Sequence, residues 1–227
     1  MYMLQPPNFL NDDGTASMAT LLLSSHHAFR RDIARFQKAV EQIKAGDRSR
    51  GDAVCEEWKS YRASLHGHHQ IEDNTMFPDI KQKHPELAAA IDTLHAQHEH
   101  IDPLLDRGDV AFATLANPGQ AADVLKELKA LLDEHLTFEE AQITPTLREA
   151  KTFPPLPNDD AADMYAQGFS WSMHGIAPAV QEKMHVMLPP ALVAKLPAAQ
   201  EAFTERCRRV WGTFTVGAAT TPIPEGY

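Results

Sequence analysis

Apolar residues recur along the chain at intervals of three and four, the spacing of one buried face on an α-helix. Leu22, His26, Phe29, Ile33, Phe36 and Val40 form the first such stripe, predicting a helix from about Met18 to Ala45. Gly46 follows as a C-terminal stop, and Thr15 or Ser17 is placed to cap the start. A second stripe runs through Trp58, Tyr61, Leu65 and His68. Ser49 and Asp52 suggest a capping box at its start, and Pro78 should end or bend the helix. A third, Leu87, Ile91, Leu94, His98, Ile101 and Leu105, begins near Pro85 and should stop at Gly108, with a kink at Pro103. Val124, Leu128, Leu131, Leu132 and His135 predict a fourth helix from about Ala121 to Thr144. No stretch alternates as a strand would. Four such segments joined by short loops predict an all-α fold, an antiparallel four-helix bundle.

Each stripe contains a histidine, and two of them repeat one spacing. His68, Glu72 and Pro78 stand in HHQIEDNTMFP, and His135, Glu139 and Pro145 in HLTFEEAQITP. An i, i+4 pair lies on one helical face, so each imidazole and carboxylate can close on one point. Buried polar groups of this kind need partners. His26 is preferred over His27 as the inward residue of the first helix, and His98 over His95 and His100 in the third. The halves form a weak internal repeat, with offsets of 72 and 67 residues, which implies a site of approximate two-fold symmetry. The inward polar set is then His26, His68, Glu72, His98, His135 and Glu139. Imidazoles with carboxylates suit iron, zinc or manganese, imidazole favouring the first two. The two carboxylates could each bridge a pair of ions roughly 3.5 to 4 Å apart.

Composition narrows the remaining choices. The 227 residues carry 21 Lys+Arg against 31 Asp+Glu, a net charge of −10, which repels phosphate backbones and argues against nucleic acid as a partner. Ten of the twelve histidines fall between His26 and His135. Cys55 and Cys207 form no CxxC pattern, so neither a disulfide framework nor a thiolate metal site is expected, and a reducing cytoplasm is the natural setting. The N-terminal stretch lacks the basic region of a signal peptide, and no apolar run approaches a membrane span. Residues 1–17 read as a lead-in, 18–152 as the bundle and 153–227 as a helical extension packing on it. Within that extension one helix from about Asp160 to Met187 should be interrupted near Gly175 and Pro178, and another should run from Pro197 to Phe214. Glu182 and His185 form a lone ExxH; a ferritin-like site needs that pair twice.

HHAFRRDI, HHQIEDNTMFP, QHEHIDPLL and HLTFEEAQITP agree in type, order and spacing with the four helices of the hemerythrin family. The chain resembles the bacterial hemerythrin-like HHE cation-binding domains over about residues 18–150, the actinobacterial type with a C-terminal helical extension. That pattern selects His68 over His69, Glu72 over Asp73 and Glu139 over Glu140. The resemblance implies a non-haem di-iron centre, oxo- or hydroxo-bridged, that binds O2, peroxide or nitric oxide at an open position, with zinc as the alternative occupant. Peroxidase- or catalase-like or NO-processing activity is compatible with it. A non-catalytic iron or oxygen sensor, or a metal-stabilised structural bundle, are the competing readings. One departure lies on the third helix, where oxygen-carrying relatives place a second histidine one turn after the first and this chain has Asp102. Tyr61 and Asp102 are therefore candidates for an additional ligand, or for groups that support one; Asp102 could orient His98.

Overall fold

A computed structural model describes residues 8–212 of the protein. It is an all-α protein, a four-helix bundle with additional C-terminal helices, and no strand occurs among the described residues. Helices α1 (Met18–Lys44), α2 (Gly51–Ile71), α3 (Phe77–Lys83), α4 (Ala88–Phe112) and α5 (Pro118–Leu147) are followed by α6 (Asp159–Met173), α7 (Pro178–Met187) and α8 (Pro190–Trp211). A π-helical turn, Glu72–Met76, joins α2 to α3, and a 3-10 turn, Pro85–Leu87, leads into α4. The described residues group into two compact units, one of residues 32–142 and one of residues 8–31 with 143–212; α1 and α5 each run through both.

The 32–142 unit holds the four-helix core. Phe36 of α1 meets Trp58, Tyr61 and Phe112 edge to face, at ring separations of 5.7, 5.6 and 5.4 Å. Trp58 stacks on Phe112 with centroids 4.6 Å apart. Such pairs add to the burial of their area. Leu65, Leu94, Ile101, Leu128, Leu132 and Leu136 continue this core, all buried. Ladders of polar contacts run in opposite directions along neighbouring helices: Trp58 to Asp109, Arg62 to Asp106 and His98 to Asp73 between α2 and α4 and the turn that follows α2. Arg107 to Glu127 and His135 to Gln97 do the same between α4 and α5. Both pairs are antiparallel.

Four expectations about helix ends are corrected. Helix α4 does not stop at Gly108 but continues to Phe112, because the glycine is a packing position: a Cβ there would lie 2.0 Å from Trp58 Cζ2. Pro78 does not end the second helix. Instead the chain widens into the π turn, with the Phe77 N–H donating to the Glu72 carbonyl, and Pro78 enters the first turn of α3. The capping box does not form either, since the Ser49 N–H and hydroxyl both donate to Asp47 rather than engaging Asp52. Helix α5 also runs past Thr144, with Pro145 inside it.

In the other unit, α6, α7 and α8 share a core with the N-terminal part of α1: Leu21 packs with Phe169, Met173, Met184, Leu188, Leu192 and Leu196. The expected interruption is present between α6 and α7, where Gly175 takes φ +91°, a conformation glycine adopts at no steric cost. The second helix of this segment starts earlier than expected, at Pro190, and carries Pro197 within it; Phe214 lies outside the described residues. Arg31, fully buried, donates to the carbonyls of Trp171 and His174 and so satisfies the C-terminal end of α6. Arg148 donates to the Asn8 and Leu10 carbonyls, holding the N-terminal segment to the end of α5.

Candidate metal centre

The stripes that build the core continue directly into a buried polar cluster. One turn beyond Leu65 on α2 come His68 and His69, and the π turn then starts at Glu72. Leu94 on α4 is followed by His98, and Leu132 and Leu136 on α5 bracket His135, with Glu139 one turn on. Glu72, His98, His135 and Glu139 are all at most 4 % exposed. The side chain of His68 is 14 % exposed.

One ligand atom from each of His69, Glu72, His98 and His135 lies within 4.8 Å of the others, and the same limit holds among His68, Glu72 and Glu139. Glu72 belongs to both sets. Its Oε1 is 2.8 Å from His68 Nε2 and its Oε2 is 3.5 Å from His98 Nε2, so one carboxylate faces two groups of imidazoles with its two oxygens. Glu139 Oε2 is 3.9 Å from His135 Nε2.

The tautomers follow from the acceptors around the rings. His98 Nδ1 is 3.0 Å from both Asp73 oxygens, and a carboxylate accepts, so Nδ1 carries the proton. His135 Nδ1 likewise donates to Gln97 Oε1 at 3.0 Å. Each ring then presents a lone pair at Nε2, and these two nitrogens are 3.3 Å apart. Such a pair is satisfied by a proton shared between the two rings or by a metal ion on their common side. Neighbouring ligands of one ion with bonds of about 2.1 Å are separated by roughly 3.0 to 3.4 Å, and the observed spacing falls in that range. Burial holds the His98 ring below the usual histidine range, against an opposing pull from Asp73, which favours the neutral ring that binds a metal. The donor set therefore fits a divalent transition metal: neutral imidazoles, two buried carboxylates, and second partners that fix ring orientation.

His69 was passed over in the sequence reading, yet it is buried beside these groups. Its ring lies parallel to that of His98, centroids 3.9 Å apart and planes within 13°. Phe77 lies parallel to His98 as well, at 6.0 Å. The rings of His98 and His135 are inclined at 67°. Asp73, set aside as a ligand in favour of Glu72, turns out to be the acceptor that orients His98. Gln97 was not singled out at all, because glutamine on a helix face has no distinguishing spacing. Of the two candidates for additional roles, one is on the surface and one is in the core. Asp102 is exposed, with His66 Nδ1 4.0 Å away, because its position on α4 faces away from the buried stripe; the orienting role expected of it falls to Asp73. Tyr61 is buried in the aromatic core against Phe36 and Trp58, and burial, then Asp32 and Asp133, hold its phenol well above its ordinary range. His26 is fully buried on the N-terminal part of α1; so is His27, whose Nε2 donates to the His174 carbonyl at 3.2 Å. Glu182 of the lone ExxH is exposed.

No helix among the described residues is long and apolar enough to cross a membrane. Comparison with known proteins finds one family description, the hemerythrin HHE cation binding domain, matching residues 17–147. No curated protein and no solved structure matches the chain.

Proposed function

Since the chain belongs to the hemerythrin HHE cation-binding family, we propose that its buried histidines and carboxylates hold a pair of iron ions and that the protein binds or processes O2, peroxide or nitric oxide. The observation that carries this reading is the pair of Nε2 atoms of His98 and His135, 3.3 Å apart with both Nδ1 atoms committed to acceptors. His98, His135 and Glu72 would hold one ion, and His68, Glu72 and Glu139 the other, with Glu72 shared through its two oxygens. His26 enters as a further imidazole on the strength of the sequence pattern. Bound there, iron would supply redox chemistry toward a small diatomic or peroxide ligand.

The chain's own residues set the conditions for that chemistry. Asp73 and Gln97 fix two imidazoles in the neutral tautomer that presents Nε2. The aliphatic residues flanking the cluster, Leu65, Leu94, Leu132, Leu136 and Ile101, exclude bulk water and leave the polar set in a low-dielectric setting. Two buried cysteines outside any disulfide, Cys55 and Cys207, accord with a cytoplasmic location. The test is the absorption spectrum of the iron-loaded protein before and after peroxide and nitric oxide. Near-ultraviolet bands that change on addition support the reading. A featureless protein that retains zinc in preference to iron would replace it with a metal-stabilised structural bundle.

A further inference from the structure

Asp73 serves two histidines of different exposure. His98 Nδ1 donates to it from inside, at 3.0 Å, and His95 Nδ1 lies 3.1 Å from Oδ1 on the outside. The side chains grade from surface to interior: His95 is 59 % exposed, Asp73 21 % and His98 5 %. One turn of α4 separates the two histidines, so both reach the same carboxylate on the turn that follows α2. Ligand atoms of Asp73, His95 and His98 all lie within 4.8 Å of one another. His98 is thereby a member of two clusters, with Nδ1 on the outer one and Nε2 on the inner one, 3.5 Å from Glu72 and 3.3 Å from His135.

A buried centre of this kind must be filled from solvent, and Glu72, His135 and Glu139 offer at most 1 % of their surface to it. We propose that His95 and Asp73 form an outer capture site for a divalent transition-metal ion, beside the Nδ1–H of His98, and deliver the ion inward. This rests on the reading of that cluster as a metal centre. An imidazole and a carboxylate select ferrous, zinc or cobalt ions over magnesium or calcium. Two such ligands, completed by water, hold an ion weakly, as a transit position requires. The surrounding charge helps: Glu99 follows one turn after His95, and the nearby cation Lys81 is occupied by Asp92.

The experiment uses the full chain stripped of metal by chelation, with cobalt(II) as the probe, which is read by its visible spectrum. His95→Ala should slow filling of the inner centre about tenfold, the lower end of what local focusing of ions does for on-rates, while the final number of ions stays the same. His100→Ala, removing an exposed histidine on the same helix, should fill at the native rate. In a parallel measurement, substoichiometric cobalt should broaden the NMR signals of the His95 ring. Filling of His95→Ala at the native rate, or His95 signals untouched by cobalt, would overturn the outer site and leave the inner centre standing. Broadening of His95 with no ion retained inside would instead keep the outer site and overturn the di-iron reading.

Discussion

His98 is the residue on which most of the site's geometry converges. Its Nδ1 is tied to Asp73, its ring faces lie parallel to His69 and Phe77, and its Nε2 opposes that of His135. We assign the ring of His69, stacked on His98, to packing rather than to ligation, although one of its nitrogens lies within 4.8 Å of the ligand atoms of Glu72, His98 and His135. His69→Phe is therefore expected to retain the iron of the native protein, measured as metal per chain; loss of half or more of the iron would show that His69 is itself a ligand. Gly108 poses the opposite requirement, the absence of any side chain. Gly108→Ala places a methyl against the Trp58 ring, which is itself wedged between Phe36 and Phe112, and should cost about 1–3 kcal/mol in chemical denaturation. At this scale the sequence was legible where a residue repeated a spacing, as at His68, Glu72, His135 and Glu139. It was silent where function depends on a neighbour across the bundle, as for Asp73 and Gln97, and misleading at Gly108, where packing rather than termination explains the glycine.

Among the elements, the stripes located α1, α2, α4 and α5 because a buried helical face needs apolar residues at every turn. What the stripes could not show was the π turn at Glu72–Met76, whose extra residue is spread over four polar side chains and a methionine with no periodic mark. Its neighbouring carboxylates, Glu72 and Asp73, face opposite nitrogens of one ring, Glu72 the Nε2 of His98 and Asp73 its Nδ1. Pro78 reads in the sequence as an end or a bend, Pro103 as a kink and Pro197 as a start; in the structure Pro78 lies in the first turn of α3, and Pro103, Pro145 and Pro197 sit inside helices, where packing of the flanking stripe outweighs one lost hydrogen bond. The C-terminal helices depend more on local signals. Asn158 caps α6, accepting from the Ala161 N–H at 2.9 Å. Asn158→Ala should lower stability by about 1 kcal/mol, read as a shift in the denaturation midpoint without a change in slope; no shift would mean that the cap is replaced by solvent.

For the whole molecule, an acidic chain of net charge −10 concentrates its histidines in one bundle and buries carboxylates beside them. Charges of that kind are costly to bury alone and become favourable once a cation joins them. Metal binding is thus coupled to folding. Chelation is expected to lower the melting temperature of the native protein, and adding back iron to restore it progressively, with the logarithm of the free metal concentration; identical melting curves with and without metal would contradict that coupling. The fold class and the family were readable from four short stretches, because each carries both a core stripe and its polar continuation. The division of the chain into units that share α1 and α5 was not readable, since no break in composition marks residues 31 or 142. The most direct test is the metal content of the aerobically reconstituted protein offered iron and zinc together. The account predicts two irons per chain, falling to one or fewer in His98→Ala. A native protein that holds no iron, or an undiminished two in His98→Ala, would contradict it.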